Sequence, residues 1–377
     1  LALAACADGP AAPASAPTKV VLARDKADAI EGDYIVVLRN GAATDVDTKV
    51  KEKLARHGGR LKATYREVLT GYAAGLTDAE LASVAADPDV AYVEQDQVMS
   101  ISATQSNATW GLDRIDQRNR PLSGTYTYTA TASAVRAYII DTGIQTGHSQ
   151  FGTRASNVYD AFGGNGQDCN GHGTHVAGTV GASTYGVAKS VMLRGLRVLD
   201  CNGSGSTSGI ISAIDWLRAN HIKPAVANMS LGGGYSSSLN TAVNNLAASG
   251  VFVAVAAGNE NQDACNVSPA SAGNMVTVAS STSSDAKSSF SNWGSCVELY
   301  APGSSITSTW LSGTTKTISG TSMASPHVAG VGALYKATYG DASYSTIRSW
   351  MINNATTGVI SGNVSGTPNR LLYKASL

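Results

Sequence analysis

The sequence predicts an α/β protein whose parallel sheet is covered by helices on both faces, preceded by a small α+β domain. Three observations predict it. From about residue 103, short and nearly continuous apolar segments alternate with helical stretches, as in strands buried on both faces. The 377 residues exceed one ordinary domain and suit two. The formal charge of zero is also uneven: residues 1–102 carry 11 Lys+Arg against 15 Asp+Glu, and residues 103–377 carry 16 against 12. Two bodies of opposite sign on one chain suit a detachable acidic partner for a basic one.

Composition removes several classes. With 43% hydrophobic and 14% charged residues the chain is neither disordered nor a coiled coil, and its 40 glycines lack the collagen period. No apolar run approaches the ~20 residues of a membrane span. Zero net charge gives no reason to expect a nucleic-acid partner.

The opening Leu1-Ala2-Leu3-Ala4-Ala5-Cys6 reads as the tail of a secretory signal, so export is expected. Leu3 to Cys6 also resembles a bacterial lipobox, and an ordinary signal tail and a lipid anchor on Cys6 both stay open. Residues 1–26 form this remnant and an Ala/Pro-rich tether. In the domain assigned to 27–102, Tyr34–Leu38, Tyr72–Leu76 and Val90–Glu94 read as strands. Val46–His57, closed by Gly58-Gly59, and Asp78–Ala86 read as helices. Nothing there looks catalytic; its one histidine, His57, sits on a polar helix end.

In the domain assigned to 103–377 the predicted strands are Val135–Ile140, Val191–Leu199, Ala225–Met229, Val251–Ala256, Met275–Ala279 and Val297–Tyr300. The predicted helices are His172–Val180, Ser208–Asn220, Ser238–Ser249 and Met323–Thr338. Active sites of parallel sheets lie beyond the carboxyl ends of the strands, so polar motifs just after strands are the places for chemistry.

Three such motifs stand out. Asp141-Thr142-Gly143 follows an apolar strand, Gly171-His172-Gly173-Thr174-His175 opens one helix, and Gly320-Thr321-Ser322-Met323-Ala324 opens the longest. Serine is a poor nucleophile unless a histidine takes its proton, and a buried carboxylate must fix that histidine's tautomer. Asp141, His172 and Ser322 supply those parts. A serine at a helix start also gains the free N–H groups that hold an oxyanion. Asn259, in Ala256-Ala257-Gly258-Asn259 after another strand, offers a side-chain amide for the same purpose.

Cys169, Cys201, Cys265 and Cys296 form an even set, which favours disulfides in an exported chain. Three pairings are possible and spacing does not choose among them. Cys169, His172 and His175 also offer a zinc-ligand spacing. An aspartic protease would need a second Asp-Thr-Gly, and the chain has one.

The ordered motifs, with Trp110–Ile115, Cys169–His172 and Ser289–Asn292 beside them, resemble the subtilisin-type serine proteases. The similarity is greatest to the proteinase K branch and its aqualysin-like bacterial members. The resemblance covers about residues 103–377 and implies a subtilisin-like sheet, a secreted, monomeric endopeptidase acting on protein and peptide substrates, and an inhibitory propeptide at 27–102. It makes Cys169 a disulfide partner and His175 structural. His148, His221 and His327 are expected to be structural or solvated.

It further implies that substrate adds as a strand between Gly203-Ser204-Gly205 and Ser230-Leu231-Gly232. The latter, with Ala256, Ala257 and Gly258, would line an uncharged pocket favouring apolar or aromatic side chains before the scissile bond. Structural calcium is implied at Asp113, Asp116, Gln117, Ser123 and Thr125, and at the carbonyls of Gly273 and Met275 with Glu298, where the family usually has Asp. Self-cleavage is expected near Ser102–Ala103. The rival reading is a catalytically inactive binding protein on the same fold.

Overall fold

The computed structural model describes residues 19–22, 29–39, 45–97 and 103–377. Cys6 and Ser102 lie outside them. The chain divides into two compact units, 1–99 and 100–377.

In the first unit five strands form one sheet in the spatial order Val20–Val21, Val90–Gln97, Ala29–Leu38, Gly71–Gly75, Arg60–Tyr65. The helices Val46–His57 and Asp78–Ala86 have the predicted bounds. Side chains fix both starts. Asp45 accepts from the Asp47 N–H, and Thr77 and Glu80 form a reciprocal capping box. Val36, Val50, Tyr72, Val84 and Val93 share one core. The strand Arg60–Tyr65 was not predicted, because three of its six residues are exposed and carry no apolar run.

The second unit is built on nine strands. In chain order its elements are β1 Arg136–Asp141, β2 Ala155–Asp160, α1 His172–Gly181, β3 Met192–Arg197, α2 Thr207–Asn220, β4 Ala225–Met229 and α3 Ser237–Ala248. There follow β5 Phe252–Ala256, β6 Val276–Ser281, β7 Leu299–Pro302, α4 Thr321–Tyr339, α5 Tyr344–Asn354, β8 Thr356–Thr357 and β9 Arg370–Leu371. The spatial order is β8-β9-β7-β6-β5-β4-β1-β3-β2, parallel throughout except for β8 with β9.

Alternation along the strands divides the core in two. Ile139, Val226, Phe252 and Ala254 face one way, into a cluster with α1, α4 and α5. Ile140, Ala225, Ala227, Val253 and Val255 face the other, towards α2 and α3. Period-two alternation in fully apolar strands is what a sheet covered on both faces requires.

Strand order reverses between β1 and β4: the chain moves from β1 outward to β2 and β3, then returns to β4. Such a switch point opens a crevice at the carboxyl ends. The disulfides pair sequentially, Cys169 with Cys201 (Cα–Cα 5.0 Å) and Cys265 with Cys296 (5.4 Å). Each closes a loop of about thirty residues, worth roughly 3–4 kcal/mol on the chain-entropy account.

Candidate active site

β1 ends on Asp141, whose carboxylate is fully buried. Its Oδ1 accepts the Thr142 N–H at 2.7 Å and lies 2.7 Å from His172 Nδ1. Small residues permit this approach of strand end and helix start. A Cβ on Gly173 would lie 2.2 Å from the Gly143 carbonyl oxygen, and Gly143, at φ +95°, has no room for one beside Gly166. Thr142 adds a second tie, its hydroxyl accepting the Gly173 N–H at 2.9 Å.

The Asp141 bond leaves Nδ1 as the protonated nitrogen and frees Nε2 as a base. Burial works against the charged ring, but the Asp141 and Asp168 carboxylates outweigh it and raise the His172 pKa.

Ser322 is the second residue of α4, where backbone N–H groups lack helical partners. Its hydroxyl donates to the Ser230 carbonyl at 3.3 Å, and no hydrogen bond joins it to His172 among the described residues. Nucleophile and base often tighten only when substrate is bound. The helix start is anchored to the end of β4. Ser230 Oγ donates to the Ser322 carbonyl at 2.7 Å and accepts from Asn228, whose amide oxygen takes the Ser325 hydroxyl at 2.6 Å.

Asn259 is oriented by a residue the sequence reading missed. Its Oδ1 accepts both the N–H (2.8 Å) and the hydroxyl (2.9 Å) of Thr321, which leaves the amide NH2 as a donor beside Ser322. Thr321 stands inside the same motif as Ser322, and that was the available signal. Asn259, Gly258 and Ser322 line one cavity of about 360 Å³ with Ala256, Leu231 and Gly232. Ala257, expected in the lining, is fully buried and does not reach it. Glu260 also reaches the lining, with Asn292 Nδ2 2.8 Å from Oε2. The pocket is therefore not wholly uncharged.

The two expected edge segments, Gly203–Gly205 and Ser230–Gly232, line a second cavity of about 490 Å³ together with His172. Asp200, also missed, shapes the first edge by accepting the N–H groups of Asn202 and Ser204. A zinc reading fails on geometry. Cys169 is bonded to Cys201, and His175 Nε2 faces the carbonyls of Ile306 and Lys316 at 3.1 Å each.

The two expected cation loops differ. In the first, Ser123 Oγ lies 3.1 Å from Asp113 Oδ1 and 2.7 Å from Thr125 Oγ1, and Gln117 Oε1 accepts the Ser123 N–H. These hard oxygens are of the kind calcium takes; Asp113 also accepts the Ser123 and Gly124 N–H groups but, unlike Glu298, faces no cation of the chain among the described residues. Asp116 is an exception, holding Lys374 Nζ at 2.9 Å and the Thr127 N–H at 2.7 Å. In the second, Glu298 gives one oxygen to the Thr277 N–H (2.6 Å) and the other to Arg348 (3.3 Å). Its carboxylate is already answered by the chain's own cation, so Gly273, Met275 and Glu298 do not fit a bound metal.

Comparison with known proteins agrees with this geometry. The subtilase family model matches residues 133–371, and the peptidase inhibitor I9 model matches 33–102. An extracellular serine proteinase of Thermus sp. (strain Rt41A) is 48% identical over 99% of this chain and 96% of its own. The alkaline serine exoprotease A of Vibrio alginolyticus is 47% identical over 96% and 71%. The crystal structure of a cold adapted subtilisin-like serine proteinase superposes with a TM-score of 0.71 at 54% identity, covering 72% of this chain and all of the other. The chain belongs to the subtilase family, a subtilisin-like serine proteinase that carries its own inhibitor I9 propeptide domain.

Proposed function

We propose that Ser322 is the nucleophile of this proteinase, His172 its general base and then acid, Asp141 the carboxylate behind the imidazole, and Asn259 the oxyanion donor. The 2.7 Å Asp141–His172 bond carries the reading, with His172 lining one cavity, Ser322 and Asn259 another, and Leu231 and Gly232 common to both. The Ser322 hydroxyl turns from Ser230 O to His172 Nε2 and gives up its proton as Oγ bonds to the scissile carbonyl carbon. The oxyanion is received by the Asn259 amide and the Ser322 N–H. His172 passes the proton to the leaving nitrogen, the C–N bond breaks, and water repeats the sequence on the acyl-enzyme.

Extended substrate pairs with Gly203–Gly205 and Ser230–Gly232, and the pocket over Ala256–Gly258 takes apolar or aromatic side chains. Asp113, Gln117, Ser123 and Thr125 would hold a calcium ion, which would add stability to the folded state. The enzyme is exported and acts as a monomer on proteins and peptides. Residues 27–102 inhibit it until self-cleavage near Ser102–Ala103 separates them from 103–377, in keeping with the acidic balance of the one part and the basic balance of the other. A serine-directed covalent inhibitor tests the centre. One equivalent should attach at Ser322 and abolish peptidase activity, whereas an inactive binding protein would take up none.

A further inference from the structure

We infer that Asp168 is a positioning residue for the reaction, holding the start of α1 against the Asp141–Thr142 corner and adding a second negative charge behind His172. The inference rests on the triad proposed above.

Asp168 is 7% exposed and accepts five hydrogen bonds. Its Oδ1 takes the Thr142 hydroxyl and the N–H groups of Asn170 and Gly171, each at 2.9 Å. Its Oδ2 takes the N–H (2.9 Å) and hydroxyl (2.6 Å) of Thr174. Three of these donors are backbone groups of the turn and first residues of α1, so the carboxylate acts as the helix's N-terminal cap. Gly171, the residue at the cap position itself, has no side chain to do so. The Thr142 hydroxyl bridges Asp168 to the Gly173 N–H, next in sequence to His172. Asp141 thus orients the ring, while Asp168, through Thr142, Gly171 and Thr174, orients the backbone that carries it.

The charge matters as well as the geometry. The ionisable groups that act on His172 are Asp141 at the end of β1, Asp168 in the turn before α1 and His175 one helical turn on. Arg197 and Asp160 pair with each other at 3.5 Å. His175 is held neutral by burial, its pKa lowered to about 4. Asp168 therefore favours the imidazolium that forms as Ser322 attacks, and it contributes to the raised His172 pKa.

The test is Asp168→Asn, with kcat counted per active site titrated by the covalent inhibitor, so that misfolded protein does not enter. Two results are expected together. The acid limb of kcat/KM should move down by about 0.5 unit or more, since His172 protonates less readily without the second carboxylate. The plateau kcat should fall about tenfold, since the imidazolium is less stabilised and its ring less well placed. Asp168→Glu should return the limb towards its original position. An unmoved limb or an undiminished kcat overturns the inference.

If Asp168→Asn yields no titratable sites, Thr142→Val removes the bridging hydroxyl and keeps the charge. Its kcat should fall at a KM within about twofold of wild type, and an unchanged kcat overturns the positioning role. Failure of the triad reading is separate, because wild-type protein would then take up no inhibitor at Ser322.

Discussion

Each unit holds a histidine within 2.7 Å of an aspartate carboxylate. In the first, His57 Nδ1 lies 2.8 Å from Ser83 Oγ and Nε2 lies 2.7 Å from Asp87 Oδ2. In the second, His172 Nδ1 lies 2.7 Å from Asp141 Oδ1, and the Ser322 hydroxyl bonds to the Ser230 carbonyl instead of the ring. The surroundings separate them. Burial alone would raise the Asp87 carboxyl, but Lys53 at 2.8 Å together with His57 holds it well below the usual range. That carboxylate is already neutralised. Asp141 has no lysine or arginine partner, and its Oδ2 is buried without any partner among the described residues. Ser83 sits late in a helix, where its own N–H is used, whereas Ser322 stands at a helix start beside a pinned asparagine. The residue types are common to both sites; the oxyanion donors and the unspent carboxylate belong to one.

The sharpest way to break that contrast is the pair Ser322→Ala and Ser83→Ala. The first should lower kcat by about 10⁴-fold or more and leave a folded, uncut precursor. The second should leave the mature enzyme unchanged; purified Ser322→Ala that still processes itself would reverse the assignment. Asn259→Ala comes next, with kcat down by about 10²–10³-fold at nearly constant KM, read from initial rates on a peptide substrate.

Acid supplies the third test. Burial lowers the pKa of His175 and His327 from 6.5 to about 4. Both rings are neutral donors to backbone carbonyls, His327 to Met323 O at 2.9 Å. Between pH 6.5 and 4 the unfolded chain binds more protons than the folded one, so stability falls as pH drops through that window. A loss of a few kcal/mol is expected, and His327→Gln should flatten the dependence of the melting temperature on pH. A melting temperature that rises on acidification there would contradict the neutral assignment.

The two cation loops give a milder contrast. Calcium at a hundredfold above its Kd should raise the melting temperature by about 5–10 °C, and chelation should hasten autolysis. Asp113→Asn should shrink that response and Glu298→Gln should not, because Arg348 already occupies Glu298. The smallest effect concerns Glu260. Glu260→Gln should lower kcat/KM for lysine before the scissile bond by about two- to fivefold, leaving phenylalanine substrates unaffected.

The site was legible because its chemistry demands particular residues at strand ends and helix starts, and Asp141, His172, Asn259 and Ser322 stand in motifs there. The residues that hold them were not. Asp168 and Thr321 act through bonds to groups distant in the chain or hidden inside a motif, and Glu260 enters the pocket only once β5 and the loop after it are folded. In the fold, apolar strands and capped helices were readable, with ends shifted by a residue or two where partner strands set the ladder. β2 was missed because its six residues are all half-buried. Helix α5 buries just Ile347, Met351 and Asn354, too sparse a stripe to register. The hairpin Ile306–Ile318 is mostly threonine, serine and glycine.

The Cys169–Cys201 bridge has a consequence for where the enzyme can work. Cys169 stands three residues before His172, and Cys201 two before the Gly203 edge. One covalent link therefore joins the segment before the proposed base His172 to the proposed substrate edge at Gly203, reinforced by Asn170 Nδ2 donating to the Cys201 carbonyl at 2.9 Å. A reductant that opens it should lower kcat/KM and, through the loop-closure contribution, the melting temperature as well. Reduced protein should therefore show a looser cleft, read as a higher KM for a peptide substrate at an unchanged count of titratable sites.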